Sequence, residues 1–235
     1  LDNAEEYLNA ETTFESESEI HQVFHEPMGV AAVITPWNYP FLMFVWDVIP
    51  SLIAGNAVVF KHSEECPLMG KLIEEVMSRH LPTDVFSEVY GAGDVGQYLV
   101  QQDVNLIVFT GSTGTGRAIY ETAGKNFVKA IMELGGSAPG IVFDDADVDA
   151  AVKSICEFRL SNAGQYCDGL KRLIVQEGVF DEVVEKVSAA FALKKIGAAE
   201  DKTTELGPLA AQRQLNLLVK QVEDAKEKGA EIVTG

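Results

Sequence analysis

The stretch GVAAVITPWNYP (residues 29–40) decides how the chain is read. Its first seven residues are an apolar run rich in β-branched side chains, stopped by Pro36. A run of that length, bounded by a breaker, is the signature of a strand buried on both faces. Pro40 then opens a long apolar segment to Ile53, which predicts a helix. The same alternation repeats downstream. AVVFK (57–61), FSEVY (86–90), LIVFT (106–110) and VKAIMEL (128–134) read as strands. Between them, 67–80 and 94–102 carry helical spacing, the second with Asp94 as its expected cap, and 111–125 reads as a loop and helix. Strands alternating with helices predict an α/β fold with a parallel sheet, and five such units fit a Rossmann-like domain.

Outward from this block the pattern changes. Residues 1–10 read as the end of a helix, and 11–19 interleave acids with Ser and Thr. That segment fits an exposed arm or a solvated loop. Gly135-Gly136 punctuates the other end. Beyond it, GIVFDD (140–145), a helix from Asp147, a strand at 170–176 and helices at 180–194 and 209–228 form a second α/β region. The final EIVTG has strand character and no evident partner. The expected division is 1–25 as helix end and arm, 26–135 as one domain and 136–235 as another.

Composition narrows the function. The 235 residues are 47% hydrophobic and 23% charged, values of an ordinary globular chain. The net charge of −18 disfavours nucleic acid and anionic lipid surfaces as partners. The apolar stretch 40–59 is interrupted by Asp47, Pro50, Ser51, Gly55 and Asn56, so no membrane span is expected. Three cysteines without a CxxC pair fit a reducing, cytoplasmic setting and give no Cys-based metal cage.

Five motifs could carry chemistry. GAGDVG (91–96) has the dinucleotide pattern, but it follows the third strand, where a tight turn is an equal reading. GSTGTG (111–116) leads into a helix start, where backbone N–H groups attract phosphate, or is a glycine turn. Lys61 and Glu64 close the second strand, where a carboxylate can accept from a ribose hydroxyl, or else both are solvated charges. Cys167, in NAGQYCDG (162–169), is a candidate nucleophile, and Cys156 in an apolar helix reads as filler. Glu133, at a strand end, is a candidate base. Asn38, between two prolines, can donate to an oxyanion or form an Asx turn.

Taken in order, TPWNYP (35–40), AGNAVVFKHSEECP (54–67), FTGSTGTGR (109–117), MELGG (132–136) and NAGQYCDGLKR (162–172) resemble the motif series of the NAD(P)-dependent aldehyde dehydrogenases. The spacing from Glu133 to Cys167 fits the same series, and the resemblance runs from about Glu26 to the end. It implies a cofactor domain followed by the first half of an α/β catalytic domain, in a chain about half the family's length. It implies that Cys167 attacks the aldehyde, that Asn38 and the Cys167 N–H hold the oxyanion, and that Glu133 activates the hydrolytic water. Lys61 and Glu64 then match the adenosine ribose contacts, Gly111 and Ser112 the loop beside the pyrophosphate, and Gly93 the adenine side. Leu134 and Gly135 match the nicotinamide path, and Ile34 and Trp37 the cleft lining. The implied cofactor is NAD, with NADP also admitted. The implied partners are a small aldehyde and further copies of the chain, joined through the arm. The run from MELGG onward is most similar to succinate-semialdehyde dehydrogenases. Reduced turnover by so short a chain, a silent cofactor-binding protein and a coenzyme A-acylating relative remain open at this point. Arg159, Lys171 and Arg172 read as surface charges.

Overall fold

Continuous apolar runs in the first half of the chain assemble into a five-stranded parallel sheet in the computed structural model, which describes residues 2–235. The strands are β3 (Val30–Ile34), β4 (Ala57–Lys61), β5 (Phe86–Glu88), β6 (Leu106–Thr110) and β7 (Lys129–Glu133). Their spatial order is β5-β4-β3-β6-β7. Helices α2 (Pro40–Ile53), α3 (Pro67–His80), α4 (Gly93–Leu99) and α5 (Thr113–Lys125) make the crossovers. The strand pattern therefore gives the α/β class and the parallel sheet expected of it.

Side-chain alternation sorts the sheet into two faces. On one, Ala31, Val33, Val58, Phe60, Leu106 and Val108 pack with Phe44 and Val48 of α2 and Ile73 of α3. On the other, Ala32, Ile34, Ile107 and Phe109 pack with Leu99 of α4 and Ile119 and Ala123 of α5. Phe60 is fully buried, and Phe44 meets it edge-on at 5.5 Å between ring centroids. Burial of such a ring contributes about 2–3 kcal/mol. Asn56 closes the turn into β4 by accepting from the backbone N–H groups of Met28 at 2.7 Å and Gly29 at 3.0 Å.

Before the sheet lie α1 (Ala4–Leu8) and a hairpin of β1 (Glu11–Glu15) and β2 (Ile20–Val23), antiparallel with a bulge between Thr12 and Phe14. The polar segment at 11–19 is thus strand and turn, exposed along its length. Its turn is held locally, with the Ser16 hydroxyl accepting from the N–H groups of Ser18 and Glu19.

The chain divides into two compact units, Leu1–Leu134 and Gly135–Gly235. In the second, β8 (Ala138–Val142) pairs in parallel with β9 (Leu170–Val175), crossed by α6 (Val148–Leu160). Helices α7 (Phe180–Ala192) and α8 (Gln212–Glu227) follow. Asp147 caps α6 by accepting from Ala150 N–H at 3.1 Å. Val142, Val148, Ile155 and Val183 form the core of this unit.

Two local expectations change. Asp94 does not cap α4: Ala92 occupies that position, and Asp94 sits in the first turn. Residues 231–235 form no strand; Ile232 and Val233 line a groove of about 320 Å³ with Leu173, Val184, Val187 and Phe191.

Candidate functional site

Strand order reverses between β3 and β6, because the crossovers leave these neighbours on opposite sides. In open α/β sheets that arrangement leaves a crevice beyond the carboxyl ends of the strands. Leaving β3, the chain carries Ile34, Trp37 and Asn38, and leaving β6 it carries Gly111 and Ser112. Trp37 and Asn38 are half-buried. Tyr39 adopts a left-handed conformation (φ 50°, ψ 49°) that turns the chain into α2, and Pro40 supplies the first helical residue.

The α4/α5 face holds several of the residues assigned by resemblance to the cofactor. Ile34 and Lys61 lie side by side in the β3–β4 register. Both approach Gly96, whose added Cβ would sit 3.5 Å from Lys61 Cδ and 3.8 Å from Ile34 Cδ1. Lys61 is 3% exposed, so it is not the solvated charge of the simpler reading. Its Nζ donates to the His62 carbonyl at 3.1 Å. Burial pushes its pKa down, against the attraction of Glu64 and Asp94. Glu64 is exposed at the end of the same segment. Gly91 has φ 152°, and a Cβ there would strike Val95 Cγ2 at 2.2 Å, so the first glycine of GAGDVG serves a tight turn. Gly93 lies exposed at the start of α4 with open space around it. Ser112 caps α5, accepting from Thr115 N–H at 3.3 Å. Leu134 packs on α5, where a Cβ at Gly116 would come within 2.4 Å of Leu134 Cδ2. Gly135 follows exposed.

The α2 face carries a different set. Thr110 and Glu133 are register partners at the ends of β6 and β7. Paired positions on neighbouring strands point to one face. The Thr110 hydroxyl donates to Asp47 Oδ2 of α2 at 2.8 Å, which identifies that face. Gly111 N–H donates to the Glu133 carbonyl at 2.9 Å and fixes the strand end, while the Glu133 residue itself is exposed. Burial raises the Asp47 carboxyl from its ordinary 3.8 to about 6; the Thr110 hydrogen bond opposes this and the Glu133 charge adds to it.

Cys167 stands exposed in the second unit. The loop before it turns through Asn162 (φ 48°) and Ala163 (φ 54°), both in the left-handed region. Such strain persists where surrounding bonds enforce it. Asn162 Nδ2 donates to the Gln165 carbonyl at 3.1 Å, and Gln165 Nε2 returns the bond to the Asn162 carbonyl at 2.9 Å. Lys171 Nζ donates to the carbonyls of Tyr166 and Cys167, each at 3.1 Å. Arg172 holds the Ser137 carbonyl through Nε at 3.2 Å and Nη2 at 2.9 Å. Gly136 leaves room for the Cys167 carbonyl, 2.4 Å from where a Cβ would stand.

Sequence reading missed several of these parts. Lys171 and Arg172 are exposed, as surface charges should be, but they also bind backbone carbonyls, Lys171 in the Cys167 loop and Arg172 at Ser137, and Arg159 Nη1 reaches the Leu170 carbonyl at 3.5 Å. The adjacent basic pair in LKRLIV gave no hint of these backbone targets. Asp47 and Thr110 were also passed over. The signal for Asp47 was present: it is the single charge in the apolar segment 40–53. His62 and Glu88 form a buried contact through Nδ1 and Oε1, with side chains 4% and 0% exposed. Burial pushes the Glu88 carboxyl pKa up, while His62 opposes the rise.

The description "Aldehyde dehydrogenase family" belongs to a family model that matches residues 2–235. A 2-hydroxymuconic semialdehyde dehydrogenase of Pseudomonas sp. (strain CF600) is 40% identical over 220 residues, spanning 92% of this chain and 45% of the relative. A succinate-semialdehyde dehydrogenase (NADP(+)) of Escherichia coli (strain K12) is 40% identical over 216 residues, spanning 91% and 45%. Among solved structures, PnpE in complex with nicotinamide adenine dinucleotide superposes with a TM-score of 0.94 at 34% identity, covering all of this chain and 48% of that one. The chain thus spans about half the length of the relatives it matches. The match across 2–235 leads to one conclusion: the chain belongs to the aldehyde dehydrogenase family.

Proposed function

We propose that this chain carries the reacting groups for oxidation of a small aldehyde to its carboxylic acid with NAD or NADP. The observation that carries the proposal is the Cys167 loop: an exposed thiol on a strained turn whose carbonyls are pinned by Lys171. A nucleophile held that way has its attack direction set before substrate arrives. The family membership and the semialdehyde dehydrogenases among its relatives support a semialdehyde as substrate.

In this reading residues 26–135 are the cofactor domain, and residues from 136 onward belong to a catalytic domain. The buried Lys61 amine and the exposed Glu64 carboxylate fit the two ends of a ribose. The N-terminal end of α5 suits a pyrophosphate. When bound, the nicotinamide accepts the hydride that aldehyde oxidation releases.

The chain's own residues do the rest. The Cys167 thiolate adds to the aldehyde carbon, giving a thiohemiacetal whose oxyanion accepts hydrogen bonds from Asn38 Nδ2 and the Cys167 N–H. Once the carbon is oxidised to the thioester, Glu133 takes a proton from water as the water oxygen attacks. The C–S bond breaks and the acid leaves. A carboxylate at position 133 supports water, rather than coenzyme A, as acyl acceptor. Homo-oligomer formation through the β1–β2 hairpin and a cytoplasmic location complete the proposal. Among the described residues, no helix is long and apolar enough to cross a membrane.

Rapid mixing with succinic semialdehyde and either NAD or NADP tests the reading. A fluorescent burst of reduced cofactor, abolished in Cys167→Ala, is the expected result. Absence of reduced cofactor with both dinucleotides would overturn the reading for this chain.

A further inference from the structure

The α2 face of the sheet holds a second carboxyl that the reaction above does not use. Asp47 sits half-buried on α2, with Thr110 donating to its Oδ2 at 2.8 Å. Thr110 and Glu133 are register partners, so Glu133 lies on the same face, one strand further out. Lys129 shares the Glu133 face of β7 but stands at the opposite end of that strand, and β6 faces α2 with Leu106 and Val108. β3 and β4 present Ala31, Val33, Val58 and Phe60 to it. The rest of α2 is uncharged. Lys61, aligned with Ile34, belongs to the opposite face, and the His62–Glu88 pair is engaged within itself beside Gly70 of α3. Glu133, one strand further out on this face, acts on Asp47 as a like charge and raises its pKa.

Resting on the reading of Glu133 as the base, we propose that Asp47 is a positioning residue for that site. It orients the Thr110 hydroxyl and places a second carboxylate on the face that carries Glu133, so that water activation responds to the charge of Asp47. Protonated Asp47 removes one negative charge from this corner. Ionised Asp47 makes it a two-carboxylate site, which draws in the proton released by the attacking water. The midpoint of that change is near pH 6, against an ordinary carboxyl at 3.8.

Two measurements test this. The first is the pH dependence of p-nitrophenyl acetate hydrolysis, which needs no dinucleotide. Cys167 displaces nitrophenolate in a burst, and the slower phase is thioester hydrolysis by water. The slow phase of the wild type is expected to show an inflection near pH 6. Asp47→Asn keeps an acceptor for Thr110 and should lose that inflection. Thr110→Val removes the hydrogen bond that holds the Asp47 pKa down and should move the inflection upward, and Thr110→Ser should restore it. Unchanged profiles in Asp47→Asn would overturn the proposal. The second measurement is carboxyl-carbon NMR titration of Asp47. Its midpoint should lie near 6 and fall in Glu133→Gln. An Asp47 that titrates at the ordinary value, indifferent to Glu133→Gln, would also overturn it. If the burst itself is missing, the reading of Cys167 as nucleophile fails for this chain, and the NMR titration alone decides whether the two carboxyls are coupled.

Discussion

The two units build their parallel strands from similar apolar runs but bury them to different depths. In the first, the central strands β3, β4 and β6 are covered on both faces, and residues such as Val33, Val58, Phe60 and Ile107 are at or below 1% exposure. In the second, two strands carry exposed Ile141 and Ile174, and α8 buries no residue. The first unit thus contains a closed core, and the second a partial one. The difference teaches where precision comes from in each. In the first unit, packing holds Lys61, Thr110 and Asp47 in place. In the second, the Cys167 loop depends on hydrogen bonds from Lys171 and the Asn162–Gln165 exchange.

That contrast can be broken or sharpened by mutation. The largest expected effect is in the closed core: Phe60→Ala should destabilise the first unit by about 3–5 kcal/mol in urea unfolding. A loss below that range would mean the core repacks and is looser than its burial indicates.

Next comes a pH effect confined to the same unit. The folded state raises the Asp47 carboxyl from 3.8 to about 6, so the folded form holds that proton more tightly than the unfolded chain. Its contribution is fully present below the unfolded value and is lost as pH rises through about 6, a term of at most about 3 kcal/mol. Unfolding of the first unit, followed between pH 4 and 7.5, should therefore become easier through this window. Asp47→Asn should flatten that part of the dependence.

In the second unit, Val183→Ala removes two methyl groups from a fully buried position and should cost about 2 kcal/mol. If it costs as much as Phe60→Ala, the contrast between the cores fails. The smallest effect is Asp147→Ala, which deletes the α6 cap and should cost about 1 kcal/mol in the same assay.

The sequence made the first unit legible because its central strands are buried on both faces and appear as unbroken runs such as VAAVI and LIVFT. Helix α2 was legible from its length and from Pro40. The hairpin at 11–23 was not, because both strands are exposed and carry no alternation of apolar and polar residues. The cap of α4 was misread because Asp94 suits a capping position and the first turn of a helix equally well. The terminal EIVTG was read as a strand on propensity, and propensity alone gives no partner. Of the candidate site, the positions of Lys61 and Glu133 at strand ends and of Asn38 and Cys167 in loops followed from punctuation by Pro, Gly and His. The bracing of the Cys167 loop did not, because side chain to backbone bonds leave no periodic trace. Asp47 was seen as an interruption in an apolar segment; its link to Thr110 joins residues 63 positions apart.

The most direct test of the account is intact-mass analysis of the chain quenched in acid milliseconds after mixing with NADP and succinic semialdehyde. The account predicts a transient adduct with the mass of a succinyl thioester, mapped to Cys167 by digestion and absent from Cys167→Ala. An adduct at Cys66 or Cys156 instead, or reduced cofactor formed equally by Cys167→Ala, would contradict it.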